Sequence, residues 1–322
     1  MFSTQLTIGG AEIAAPYDFG FQLRHYVIAP QVREDEKLVE IVRLSSGGLV
    51  KVDVVSRGTV DAPRLALTIS SGEPLPPAQV EEVRERVASH LSLDDDLRPF
   101  YAVAEGDPVL SASIQYNFGA KGKRAYSMFD SLIDVILFQN TAFRRVYAMR
   151  ANLAAAFGDP FVAGGRVYHA SPTPQQLAAA PLEAIRAAKV GYRDRYVKGV
   201  AEAVAGGLDL EALKQRPGDE ARRELMRLPG VGPYTADLAL IIGARRPDAL
   251  FMDVYIREVL RQFYFGGARV PDQQLREFAR VTWGPYQGYA GLYLTTDTEA
   301  WAKNLGVRFR LRSAALSDPD RP

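Results

Sequence analysis

The five residues Leu228-Pro-Gly-Val-Gly232 interrupt an otherwise helical stretch and predict a tight hairpin between two helices. Pro229 and Gly230 stop the first helix, and Gly232 lets the backbone come close to a ligand. Pro233 suits the first turn of the second helix, where its missing N–H costs nothing. A helix N-terminus with open amides beside two glycines is an anion site. Such a contact with a nucleic-acid phosphate positions a protein without reading sequence. Sixteen residues beyond Asp237, at the far end of the same run, stands Asp253 at the start of another helical pattern. Taken locally, Asp253 reads as an N-cap.

The chain around the hairpin is long and cysteine-free. Its 322 residues, 47% hydrophobic, are enough for two or three domains. With no cysteine, thiol chemistry and a Cys-held zinc or iron–sulfur cluster are excluded. Apolar runs fall short of the ~18–20 residues that cross a bilayer. The first residues show no basic flank before an apolar stretch, so no membrane partner and a cytoplasmic location are expected, nucleoid-associated in a prokaryote. The net charge of +1 hides an uneven distribution. Residues 1–110 carry 10 basic and 17 acidic side chains, whereas 111–200 carry 12 and 5. The phosphate-attracting surface is therefore expected in the middle of the chain.

Patterning predicts an α+β protein: an antiparallel β-rich N-terminal domain over 1–110, an all-α body over 111–312, and a flexible tail over 313–322. Val39–Leu44, Leu49–Val55 and Arg64–Ile69 alternate or are β-branched. Val80, Val83, Val87 and Leu91 recur at helical spacing after Pro77. Ser127–Phe157 reads as a long helical region broken near Gln139-Asn-Thr141, and Ser171-Pro-Thr-Pro174 opens another helix. Further helices are expected near 194–206, 219–228, 233–244, 254–264 and 272–282, which places the helix-hairpin-helix at about 219–245.

The hairpin followed by a spaced Asp resembles the helix-hairpin-helix DNA glycosylase superfamily. Pro16-Tyr-Asp-Phe-Gly-Phe-Gln-Leu23 and Pro172-Thr-Pro-Gln-Gln-Leu-Ala-Ala-Ala180 are similar to segments of the 3-methyladenine DNA glycosylase II branch. Gly191-Tyr-Arg-Asp-Arg-Tyr-Val197 and Trp283-Gly-Pro-Tyr-Gln-Gly-Tyr289 resemble the 8-oxoguanine branch. The resemblance implies that Asp253 is the catalytic acid, whose carboxylate stabilises positive charge building on the sugar. The positive end of the following helix is expected to hold it ionised. Members that nick the strand carry a Lys two residues after the second glycine of the hairpin. Tyr234 stands there instead, so hydrolysis by water is expected.

The resemblance further implies that Asn140, with Gln139 beside it, fills the gap left by an extruded base, and that Arg144 and Arg145 reach flanking phosphates or the opposite base. Gly230, Val231, Gly232, Tyr234 and Thr235 would hold DNA at the hairpin. The backbone carbonyls of Met226, Leu228 and Val231 would hold a structural Na⁺ or K⁺, with no cofactor for the chemistry. Base-pocket residues are taken to be Tyr234, Phe19, Tyr289 and Trp283, since electron-poor alkylated bases stack well on aromatic rings. Thr295 and Leu238 depart from the alkyl-base branch, and Thr295, Gly291 and Tyr255 from the 8-oxoguanine branch.

The expectation is a monofunctional glycosylase of base excision repair, acting as a monomer on double-stranded DNA with a damaged, alkylated purine. An 8-oxoguanine or uracil glycosylase, or a non-catalytic damage-binding protein, are the alternatives.

Overall fold

The computed structural model describes residues 1–122 and 124–311, so the expected tail at 313–322 lies outside the described residues. Five strands, β1 (Phe2–Gly9), β2 (Val32–Glu34), β3 (Lys37–Arg43), β4 (Leu49–Ser56) and β5 (Arg64–Ser71), pair antiparallel in the order β1-β5-β4-β3-β2. The period of two sends Val50, Val52 and Val54 of β4 and Leu65, Leu67 and Ile69 of β5 to one face. There they meet Val83 and Val87 of helix α2 (Pro77–His90), while helix α1 (Phe19–His25) precedes β2. Fully burying each such side chain is worth ~1.5–3 kcal/mol. On β3 the inward row is Leu38, Glu40 and Val42, so a carboxylate interrupts an apolar face.

The other face of β3 is covered too. Val39 and Ile41 pack against Phe161 and Tyr168 of a hairpin of β6 (Pro160–Ala163) and β7 (Arg166–His169). Gly164-Gly165 at its tip, both at positive φ, is the turn signal for this hairpin, which lies inside the expected all-α body.

Thirteen further helices follow. They are α3 (Arg98–Val103), α4 (Pro108–Tyr116), α5 (Met128–Phe138), α6 (Phe143–Phe157), α7 (Pro174–Ala179), α8 (Leu182–Ala187), α9 (Asp194–Ala205), α10 (Gly218–Leu225), α11 (Pro233–Ala244), α12 (Val254–Tyr264), α13 (Asp272–Trp283), α14 (Gln287–Thr295) and α15 (Thr298–Trp301). The boundary expected at residue 110 falls inside α4. Leu97, Phe100, Leu110 and Ile114 join the core of Trp283, Ala290 and Leu294, whereas Leu93 still belongs to the sheet. The physical division therefore lies between Leu93 and Leu97, and the Ser113 hydroxyl fastens α4 by donating to the Tyr293 carbonyl at 2.8 Å.

The helices form two cores. One gathers α5, α6, α9 and α11, and the other gathers α3, α4, α12, α13 and α14. Helix α11 serves both: Leu240 faces the first, Ile241 the second, and Tyr234, Leu238 and Ile242 touch each. That explains why its sequence is apolar nearly all round. A Cβ on Gly243 would lie 2.6 Å from the Met128 sulfur, so α11 and α5 pack at glycine distance.

Candidate active site

Helix α10 ends at Leu225, and the hairpin turns through Gly230 at φ +75°. Glycine is needed there twice over. The left-handed conformation disfavours a side chain, and a Cβ would lie 2.2 Å from Cγ of the Tyr196 ring. A Cβ on Gly199 of α9 would lie 2.5 Å from the Pro229 ring, so α9 seats the bend from below. Gly232 caps α11 without any side-chain bond, and a Cβ there would meet nothing within 4 Å. The amide end of α11 is thus open to an approaching anion. A Gly230→Ala variant is expected to lose about 2–4 kcal/mol of stability, from left-handed strain and the displaced Tyr196 ring. Chemical denaturation would measure this, and a loss under ~0.5 kcal/mol would contradict the packing described.

The remaining hairpin residues divide between surface and interior. Val231 turns its side chain into the core, and Thr235 is likewise buried. The side chain of Thr235 is therefore not a surface contact. Its hydroxyl accepts from the Gln139 amide at 2.9 Å, and the same amide donates to the Gly230 carbonyl at 2.7 Å. Gln139 is thereby used inside the protein, tying the α5–α6 turn to the hairpin. Its own carbonyl accepts from the buried guanidinium of Arg193.

Next to it Asn140 is exposed at φ +48°, a conformation that Asn tolerates better than most residues. Its amide donates to the Tyr192 hydroxyl at 3.3 Å. Arg144 and Arg145 lie exposed on the first turn of α6, beside the exposed rings of Phe143 and Tyr147. The Gly191–Val197 segment already carried the signal for Tyr192, Arg193 and Tyr196, although their link to Gln139 and Gly230 is tertiary.

Asp253 is the N-cap of α12, its Oδ1 accepting from the Ile256 amide at 2.8 Å. Burial pushes its carboxyl above the usual Asp range, and the amides of Ile256 and Tyr255 and the charge of Arg257 only partly offset this. The helix end thus favours the ionised form but offsets only part of the cost of burial. Its negative charge acts on Tyr234, whose phenol burial, first, and Asp253, second, push upward. The chain leading to the acid reaches the first turn after the bend through Phe251, two residues before Asp253. Tyr234 packs edge-on to Phe251 at 6.3 Å.

A buried bracket lies behind these residues. Asp237 accepts from Arg222 of α10 at 2.7 Å and from Arg276 of α13 at 3.1 Å, while Arg276 also donates to the Leu250 carbonyl at 2.8 Å. Both hairpin helices and the strand of chain leading to Asp253 are thus held to one carboxylate. Asp237 belongs to the hairpin run, but nothing in its spacing marks it as a hub.

None of the four expected pocket aromatics is on the wall of the cavity between sheet and helices; Tyr234 lies one turn before Leu238, which is. Phe19 is in the sheet core. Trp283 is fully buried, with Nε1 donating to Asp107 at 3.1 Å. Tyr289 donates to Asp95 at 2.6 Å. Phe19 is spent on packing, and Trp283 and Tyr289 on packing and a structural bond each. The cavity, of about 440 Å³, opens between sheet and helices. Its wall includes His25, Tyr26, Phe138, Phe143, Leu238, Leu292 and Thr295. Leu238 is one turn beyond Tyr234, and Phe138 and Phe143 flank the Gln139–Asn140 turn, so the cavity abuts both features. Tyr255 feels the charges of both Asp253 and Asp297, and Asp297 is on the cavity wall. Burial pushes the Tyr26 phenol up to about 12.

Comparison with known proteins fits this geometry. The family model for HhH-GPD superfamily base excision DNA repair proteins matches residues 133–285. A probable N-glycosylase/DNA lyase of Methanothermobacter thermautotrophicus is 28% identical over 71% of this chain and 78% of its own length. A DNA-3-methyladenine glycosylase of Bacillus subtilis is 25% identical over 80% of this chain and 84% of its own. Among solved structures, a 3-methyladenine DNA glycosylase from Archaeoglobus fulgidus superposes with a TM-score of 0.76 at 21% identity, covering 90% of this chain and 97% of that one.

Proposed function

We propose, for a DNA glycosylase whose residues 133–285 belong to the helix-hairpin-helix superfamily of base excision DNA repair proteins, a one-step hydrolysis that releases an alkylated purine from double-stranded DNA and leaves an abasic site. The open amides at Gly232 bind a backbone phosphate, and Arg144 and Arg145 add charge along the same strand. Asn140 enters the stack where the damaged nucleotide leaves it, a displacement costing a few kcal/mol. The extruded base occupies the cavity under Leu238. Asp253, ionised, faces the sugar as the glycosidic bond stretches and stabilises the oxocarbenium-like charge; water completes the reaction.

The observation that carries this reading is the phenol at residue 234 on the first turn of α11, where a strand-nicking enzyme would place an amine. A phenol held neutral by burial neither attacks the sugar nor forms a Schiff base. Lys121 supports the reading from another direction. Burial lowers its amine to about 8, yet it is fully enclosed and donates to the carbonyls of Ala14 and Leu93.

A monovalent cation on the carbonyls of Met226, Leu228 and Val231 would strengthen phosphate binding by adding positive charge at the bend. The oxygen-only donor set suits a hard ion, and the Leu228 carbonyl already accepts from the Val231 amide at 3.2 Å, which keeps this loop tight.

Borohydride added during turnover should trap no covalent protein–DNA adduct, while alkali should cleave the product strand at the vacated site. The archaeal relative is named as a lyase, and an adduct here would overturn the hydrolytic reading. A duplex panel carrying 3-methyladenine, 7-methylguanine, hypoxanthine, uracil or 8-oxoguanine identifies the substrate by which base is released.

A further inference from the structure

One wall of the cavity is polar, and it comes from the N-terminal unit. Gln31, Glu40 and His90 all line the cavity, and each is more than nine-tenths buried. The Gln31 amide donates to Glu40, and its nitrogen lies 2.7 Å from Nε2 of His90. His90 stands 3.5 Å from the Glu40 carboxylate and stacks flat on Tyr126, with ring centroids 4.0 Å apart. Burial, first, and the nearby charge of Glu40 push the Tyr126 phenol upward. Glu40 takes a position on β3 between Leu38 and Val42, where an apolar residue would pack without the several kcal/mol that a buried charge costs. The opposite wall, including Leu238, Ile242 and Leu292, is apolar. Converging polar groups set against an apolar wall are what fix a ligand's orientation and identity.

The other acids on the wall are differently engaged. Asp130 and Asp134 pair with Arg150 at 3.6 and 2.8 Å, and Asp297 with His25 at 3.2 Å. Glu40 is engaged by the Gln31 amide and lies 3.5 Å from the His90 imidazole.

We propose that Gln31, Glu40 and His90 form the base-reading wall of the cavity and select a purine that carries an exocyclic amino group, with a positively charged methylated ring favoured further. This rests on the reading that the extruded base enters this cavity. A carboxylate with an N–H-bearing edge before it gains a charge-assisted hydrogen bond. A base presenting a carbonyl at the same place meets like partial charge and leaves the carboxylate less well paired. Discrimination by a site that hydrogen-bonds its substrate runs far above what an apolar pocket achieves.

The test compares single-turnover release of 3-methyladenine and of hypoxanthine, which lacks the amino group, from otherwise identical duplexes. It uses the wild type, Glu40→Gln and Gln31→Met, with affinity for an abasic-site duplex and a thermal melt for each. The wild type should prefer 3-methyladenine. Glu40→Gln should lower that preference by about 10–100-fold with abasic-site affinity within about twofold, and Gln31→Met should shift it the same way by a smaller factor. Free 3-methyladenine should also inhibit the wild type more strongly than free hypoxanthine, a readout that needs no variant.

Equal losses on both bases would mean that the network only holds sheet to helices, and would overturn the proposal. Indifference of the wild type between the two free bases, or a preference for hypoxanthine, would overturn it as well. A wild type that releases no base at all removes the glycosylase reading itself. An active wild type with an unmoved ratio in the variants removes only the reading wall.

Discussion

Asp253→Asn is expected to lower base release by about 10²–10⁴-fold while leaving duplex affinity unchanged. The substitution removes charge and little else. The Asn side-chain oxygen still accepts from the Ile256 amide, so the start of α12 keeps its cap. A separate stability signature follows from burial. The folded-state pKa of Asp253 is raised, so its favourable contribution is present below the unfolded value and is lost as pH rises through the folded one. At neutral pH the ionised carboxylate is thus a net cost, and Asp253→Asn should melt at or above the wild-type temperature. The difference should vanish as pH falls below the ordinary Asp range. Wild-type release should show an acid limb displaced upward from that range for the same reason. Near-normal release by the Asn variant would reject Asp253 as the catalytic group.

Asp237→Ala should cost about 2–4 kcal/mol of folding stability at neutral pH, measured by urea unfolding. A fully buried pair loses ~3–5 kcal/mol when one partner goes, and the figure is reduced here because Arg222 and Arg276 are each about a third exposed, at 31% and 35%. Removing Asp237 leaves two guanidiniums facing each other across the hairpin, both still tethered to their helices. Since Arg276 also holds the Leu250 carbonyl, three residues before Asp253, base release should fall as well, through a misplaced acid. Asp237→Asn keeps the acceptor oxygen and should lose less. A loss below ~0.5 kcal/mol for the Ala variant would mean that the bracket is not structural.

These two aspartates show where the chain was legible. Asp253 could be found because its role depends on a position in a local pattern: a cap residue at a set spacing after a Gly/Pro bend. Asp237 belongs to that same bend, yet its role depends on arginines from two other helices. The pocket shows the same limit. Tyr17, Phe19 and Phe21 lie on consecutive aromatic positions, but Tyr17 and Phe19 go to the sheet core and Phe21 to the helical core, leaving His25 and Tyr26 on the cavity wall. Trp283 and Tyr289 are aromatic for packing against Asp107 and Asp95, partners more than 170 residues away.

Strands β3, β4 and β5, the breaks at Gln139–Thr141 and Leu228–Gly232, and the capping acid of α12 all come from short-range rules: alternation, helical period, glycine and proline stereochemistry. These were available from the order of residues alone. The cavity, the desolvation that raises Asp253, the fastening of Gln139 to Gly230 and the polar wall of Gln31, Glu40 and His90 exist only once distant segments meet. Burial and hydrogen-bond partnership are properties of neighbours in space, and no local pattern encodes which neighbours those will be.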